Sequence, residues 1–275
     1  MTQDLTNFHS EVYSKQCTVV LNKNSVMLPL VNTSYTGEIS KDGGVVHIRS
    51  FEGGVAVNPY TGTKIVTELV PTTRELKIDQ FTQFCFFVDT IDEAQSDLDL
   101  LAGFMEQAKI SVDLAKDTRI FSHVANVDVA NVISDTQITK DNVYKKIKSL
   151  ATVLKKNNVT AAMKPWVVIP VEVEDLLNEA PEFIQASLLG SKTLTEGSIG
   201  RIAGLDVFVS TNMVADGGVY SILAGTKNCI AFAGQVAKVE KQESQTAFGT
   251  QVAGLYAYGS EMVQPKGAAV LEVHI

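Results

Sequence analysis

His9, His47, His123 and His274 are the only imidazoles in 275 residues, and no two stand at the helical spacing that grips a metal from one face. Cys17, Cys85 and Cys229 lie at none of the intervals from them that zinc sites use. His123, expected at the end of a long helix, is read as favouring the helix dipole rather than binding a ligand. Gly197-Ser198-Ile199-Gly200 falls short of a nucleophile elbow, which needs glycines two positions to either side of the serine. Gly218 to Lys227 has the look of a phosphate loop, but its Gly-to-Gly interval is too long and Asn228 replaces the hydroxyl residue that would hold magnesium. The acidic pairs Asp97/Asp99 and Glu172/Glu174 are poor acid–base candidates, because carboxylates two apart on a helix do not face each other. Glu172 and Glu174 also flank a strand-to-helix junction, where acids favour the helix start. No catalytic, cofactor-binding or metal-binding residue is assigned, no cofactor is expected, and the chain is read as not an enzyme.

The elements around these residues alternate in character. Residues up to about Asn24 are polar, with Phe8, Val12, Tyr13 and Val19 too scattered to fix a fold, and read as an arm. From about Thr36 to Thr73 turn residues crowd the chain, and Val45–Arg49 and Lys64–Val70 read as the strands of a long hairpin. That segment is too thin for a core of its own, so its apolar face is expected to rest on something else, another subunit being one candidate. A long helix is expected over Ile91–Phe121, opened by a Thr90/Glu93 capping box and about 45 Å long. Its apolar seam, Ile91, Ala94, Leu98, Leu101, Met105, Ala108, Val112 and Ala115, is widened by Leu100, Phe104, Ile110 and Leu114. That width favours packing on a sheet over a coiled coil.

A second helix is expected over Asp141–Asn157, with Val143, Ile147, Leu150, Ala151 and Leu154 inward. Lys145, Lys146, Lys148, Lys155 and Lys156 lie on its other face, which is read as solvated. Pro165–Pro170 reads as a buried strand and Glu174–Ala180 as a short helix. Strands alternating with helices here suggest a second domain inserted into the first. In the last third, Gly200, Gly204, Gly225, Gly254 and Gly259 are read as breaking the chain into short strands joined by tight turns.

Composition bounds the function. With 45% hydrophobic residues the chain can bury a sizeable core, and a formal charge of −8 argues against a protein built to grip phosphates. Three cysteines far apart, two inside apolar runs, read as buried thiols in a reducing compartment. Neither a signal peptide nor an apolar run near the roughly 20 residues that span a bilayer is present, so synthesis in the cytosol is expected.

Read in order, several stretches resemble the major capsid proteins of tailed bacteriophages of the Hong Kong 97 type. They are Gly44–Ile48, Leu76–Asp79, Val88–Ser96, Ala115–Ile120, Trp166–Pro170, Gly197–Gly204, Ser210–Asn212, Phe232–Glu240 and Tyr258-Gly259 with Pro265. The resemblance spans nearly everything after about residue 25. It implies an α+β capsid fold with an N-terminal arm (1–30), an extended hairpin loop (36–73), a peripheral domain with a long spine helix (74–128 and 234–264) and an inserted axial domain (129–233 and 265–275). It implies a subunit that assembles with itself as hexamers and pentamers into an icosahedral shell enclosing double-stranded DNA, without sequence-specific binding. The same fold is used by encapsulin-like bacterial compartments, the alternative reading. Lacking the long helical N-terminal extension of some relatives, the chain is expected to use a separate scaffolding protein, and a portal. Virion location, assembly in the host bacterial cytoplasm and no membrane partner follow from the same resemblance.

Overall fold

The computed structural model describes residues 25–38, 44–51, 57, 59, 71–89, 100–134, 137–180, 200–213, 215, 217–243 and 248–274. The chain divides into two compact units. One holds Thr82–Val112 and Val236–Tyr256, and the other holds Lys23–Phe81, Asp113–Gln235 and Ala257–Ile275. No helix among the described residues is long and apolar enough to cross a membrane.

The larger unit is built on a six-stranded mixed sheet. Its strands are β4 (Val132–Ser134), β5 (Trp166–Ile169), β6 (Arg201–Ile202), β7 (Leu205–Val209), β8 (Val219–Gly225) and β11 (Ala268–His274), in the order β4-β11-β8-β5-β7-β6. β5 pairs parallel to β7 and antiparallel to β8, and all four of its residues are buried, which explains its unbroken apolar run. The β6–β7 hairpin turns through Ala203 and Gly204, both at positive φ, as a tight two-residue turn requires.

Two helices cover this sheet. The helix α2 (Val143–Lys156) buries Val143, Ile147, Leu150, Ala151 and Leu154, the face its periodicity gives, and turns its lysines outward. The helix α3 (Val171–Asn178) buries Val173 and Leu177 in the same core. It begins before the expected Glu174 because Pro170 sits at its N-cap and Glu172 and Glu174 both fall in the first turn, where the dipole favours acids.

The hairpin differs from expectation in its second strand. β1 (Val45–Phe51) pairs antiparallel with β2 (Pro71–Lys77), from Val45 opposite Lys77 to Phe51 opposite Pro71. The expected strand Lys64–Val70 lies outside the described residues. The hairpin base also rests on its own chain. Val46, Ile48 and Leu76 are buried with Ala231, Ala233 and Val263, and Tyr35 packs on the group.

The remaining strands are β3 (Gln80–Asp89), β9 (Ile230–Glu243) and β10 (Gly249–Met262), a three-stranded sheet in the order β3-β10-β9. Gly254 and Gly259 do not break the chain, as the sequence suggested. They lie inside the single 14-residue strand β10. A Cβ on Gly254 would meet the Phe84 ring at 2.2 Å, and one on Gly259 would lie 1.9 Å from the Lys77 carbonyl oxygen. These glycines mark close approach rather than turns.

The helix α1 (Leu100–Phe121) is the described part of the expected long helix, and the Thr90/Glu93 box with Ile91, Ala94 and Leu98 lies outside the described residues. The Phe104 ring meets Phe86 of β3 with centroids 5.6 Å apart, and Ala108 and Val112 are buried. Beyond Val112 the seam departs from expectation. Ala115 is only half-buried, whereas Lys116, Asp117 and Ile120 are buried, because a 3.6-residue helix drifts off a strict seventh-residue repeat.

Candidate functional site

The residues whose types suggested chemistry are dispersed. His47 and His274 are exposed, His123 is buried, and His9 and Cys17 lie outside the described residues. Among the described residues no three or more His, Cys, Asp or Glu group as metal ligands. Gly218–Lys227 is not a loop but largely the strand β8, and Gly197, Ser198 and Ile199 lie outside the described residues, as do Asp97 and Asp99. Tyr220 donates to Glu172 at 3.2 Å.

Cys229 is buried, and burial pushes its thiol up to about 12, which leaves it inert. Cys85 corrects the sequence reading, for it is exposed. Along β3 the side chains alternate. Thr82, Phe84, Phe86 and Val88 are the more buried set, and Phe81, Gln83, Cys85 and Phe87 are exposed, with Gln251 Nε2 donating to Cys85 Sγ at 3.0 Å. Both faces of this strand carry apolar residues, so hydrophobicity did not reveal which was covered.

The buried polar groups are structural struts. Asp117, inside the apolar stripe of α1, accepts from Ser25 Oγ at 3.0 Å, Val26 N at 2.7 Å and Met27 N at 3.4 Å. Burial raises its pKa above the usual carboxylate value, while these three donors pull the other way. Lys116 Nζ turns instead to Asp113 Oδ1 at 2.7 Å.

His123 corrects a second expectation. Asn126 Nδ2 donates to its Nδ1 at 3.0 Å, so its Nε2 carries the proton toward Ser260 Oγ at 2.8 Å. Burial and then the nearby Arg119 lower its pKa, so it is a neutral strut rather than a cation on the helix dipole. Asn131, also buried, donates to the Ala268 carbonyl at 2.9 Å and accepts from Asn157 at 2.8 Å. Sequence reasoning missed Asp117 and Asn131. The one available signal for Asp117 was a charged pair, Lys116-Asp117, interrupting an apolar seam.

A cleft of about 530 Å³ in the larger unit is lined by Phe121, Val127, Val132, Met213, Val270 and Asn212 among others. Asn212 donates to the Leu114 carbonyl and to Thr118, and the cleft's carboxylate, Glu272, accepts from Ser134. What the described surface does present is contact area. Phe81, Phe87, Val236, Val239 and Phe248 are exposed apolar side chains, and the lysine face of α2 and the acids of α3 are exposed charge.

No protein-family model matches the chain, and no curated protein matches it. Solved structures do. The chain is similar to one from Mycobacterium phage Che8 at 25% identity and TM-score 0.78, covering 98% of each chain. It is similar to the capsid of the cyanophage P-SCSP1u at 14% identity and TM-score 0.78, covering 99% of this chain and 95% of that one. It is similar to the capsid of Ralstonia phage GP4 at 12% identity and TM-score 0.74, covering 100% and 98%. The chain thus has the mixed helix-and-sheet fold of these phage structures.

Proposed function

We propose that this chain is the major capsid protein of a tailed phage, of the Hong Kong 97 type, and that it assembles as hexamers and pentamers into an icosahedral shell around double-stranded DNA. The observation that carries this is the end-to-end match to phage capsid structures, with TM-scores up to 0.78 over at least 98% of the chain.

In this reading residues 1–30 are an arm and 36–73 an extended loop. α1 is the spine of a peripheral domain (74–128 and 234–264), and the six-stranded sheet with its two helices is the axial domain (129–233 and 265–275). A separate scaffolding protein and a portal complete the assembly in the host bacterial cytoplasm, and the subunit is structural rather than an enzyme. The acidic shell confines DNA without adhering to it, because −8 per subunit leaves little basic surface to neutralise phosphates.

The test is sedimentation of the chain with and without Phe51–Gly54. The full chain is expected to form particles far larger than a subunit. The deletion is expected to leave a folded subunit that assembles poorly. A deletion that unfolds the subunit would place the loop in the core and contradict its assigned role, and a full chain that stays monomeric with its scaffold present would contradict the function.

A further inference from the structure

Charge on this chain is segregated. Seven of its 23 basic residues fall between Lys140 and Lys164, a stretch with one acid, Asp141, although the chain holds 31 acids. On α2, Lys145, Lys148, Thr152, Lys155 and Lys156 are exposed, and their spacing of three to four residues makes one stripe along the helix. α3 and its C-cap show the opposite sign. Glu172, Asp175 and Glu179 are exposed at spacings of three and four, Glu174 is half-buried, and no base occurs from Val171 to Glu179. Both helices bury their apolar faces in the same core on the sheet, so each presents its charged stripe away from it.

The acidic stripe is not neutralised within the described chain. None of the described ion pairs joins these acids to a cation. Burial and then the adjacent Asp175 carboxylate raise the pKa of Glu174. Glu172 accepts from Tyr220 and Lys155 donates to the Ala203 carbonyl.

A lysine stripe fits either a polyanion or an acidic protein surface. The observations favour the second. The stripe contains no arginine, the residue that clamps phosphate in two-point fashion, and the same chain carries a carboxylate stripe of matching spacing. Resting on the shell-forming reading above, we propose that the lysine stripe of α2 on one copy docks against the carboxylate stripe of α3 on the next copy. Because two different patches meet, the contact is head-to-tail, and a fixed rotation between copies closes it into a ring. Exposed ion pairs contribute little singly. Their work is to set partner and register, and to reject pairings that oppose like charges.

The experiment uses the full-length chain under conditions in which the unaltered chain assembles, and compares Lys145→Glu with Lys148→Glu, Asp175→Lys with Glu179→Lys, and all four together. Thermal melts of the subunits serve as the folding control. Each double variant is expected to raise the critical concentration for assembly about tenfold or more, and tenfold corresponds to about 1.4 kcal/mol. The fourfold variant, which swaps both signs, is expected to return close to the unaltered chain. Folded double variants that assemble like the unaltered chain overturn the contact alone, as does a fourfold variant that is no better than either pair. If the unaltered chain forms no shell, the shell-forming reading fails and the contact falls with it. If the lysine variants lose tight binding to duplex DNA at low salt while assembly is unchanged, the stripe is a nucleic-acid contact and the proposal is wrong.

Discussion

Asp117 carries more of the fold than its single position suggests. A carboxylate buried in the apolar stripe of α1 holds Ser25, Val26 and Met27 through three hydrogen bonds, so it fixes where the N-terminal segment meets the helix. Asp117→Ala leaves these donors without their acceptor and is expected to cost about 1–3 kcal/mol. Chemical denaturation reads that loss, and limited proteolysis is expected to cut near Ser25 sooner than in the unaltered chain. An Asp117→Ala protein with unaltered stability and cutting would show the clamp to be incidental. His123 gives a pH-dependent counterpart. Its folded pKa lies below the ordinary 6.5, so the unfolded chain takes up the proton first, and stability is lost as pH falls through 6.5 toward the folded value. His123→Gln removes this titration, and its melting temperature is expected to fall less steeply over that window. Parallel acid limbs in the two proteins would contradict the neutral-strut assignment.

At the scale of elements, the same packing logic separates what tolerates change from what does not. Leu150 of α2 is fully buried, and Leu150→Ala is expected to cost about 2–5 kcal/mol, measurable by denaturant titration. Gly254→Val would drive a branched side chain into the Phe84 ring, and overpacking of this kind is expected to cost about 1–3 kcal/mol. A Gly254→Val protein as stable as the parent would mean that β3 can move away freely.

The elements differed in how legible they were. α2 was readable because its apolar and lysine faces alternate at one period with nothing to interrupt them, and β5 because both of its faces are covered. β10 was not, since a glycine that admits a neighbouring ring is indistinguishable in sequence from one that makes a turn. Cys85 was misread because both faces of β3 are apolar. Asp117 and Asn131 were missed because their buried polar side chains are explained by distant partners, Val26 lying 91 residues from Asp117 and Ala268 137 residues from Asn131.

For the whole molecule, capsid resemblance entered from the order of motifs and acquired its structural basis from full-length similarity to phage capsids. A shell made of such subunits depends on many modest contacts repeated by symmetry, so the closed particle is stable while single additions remain reversible. The most direct test is electron microscopy of the purified chain under assembly conditions. The account predicts closed icosahedral shells in which this chain forms both hexamers and pentamers. Open helical tubes, or dispersed monomers only, would contradict it.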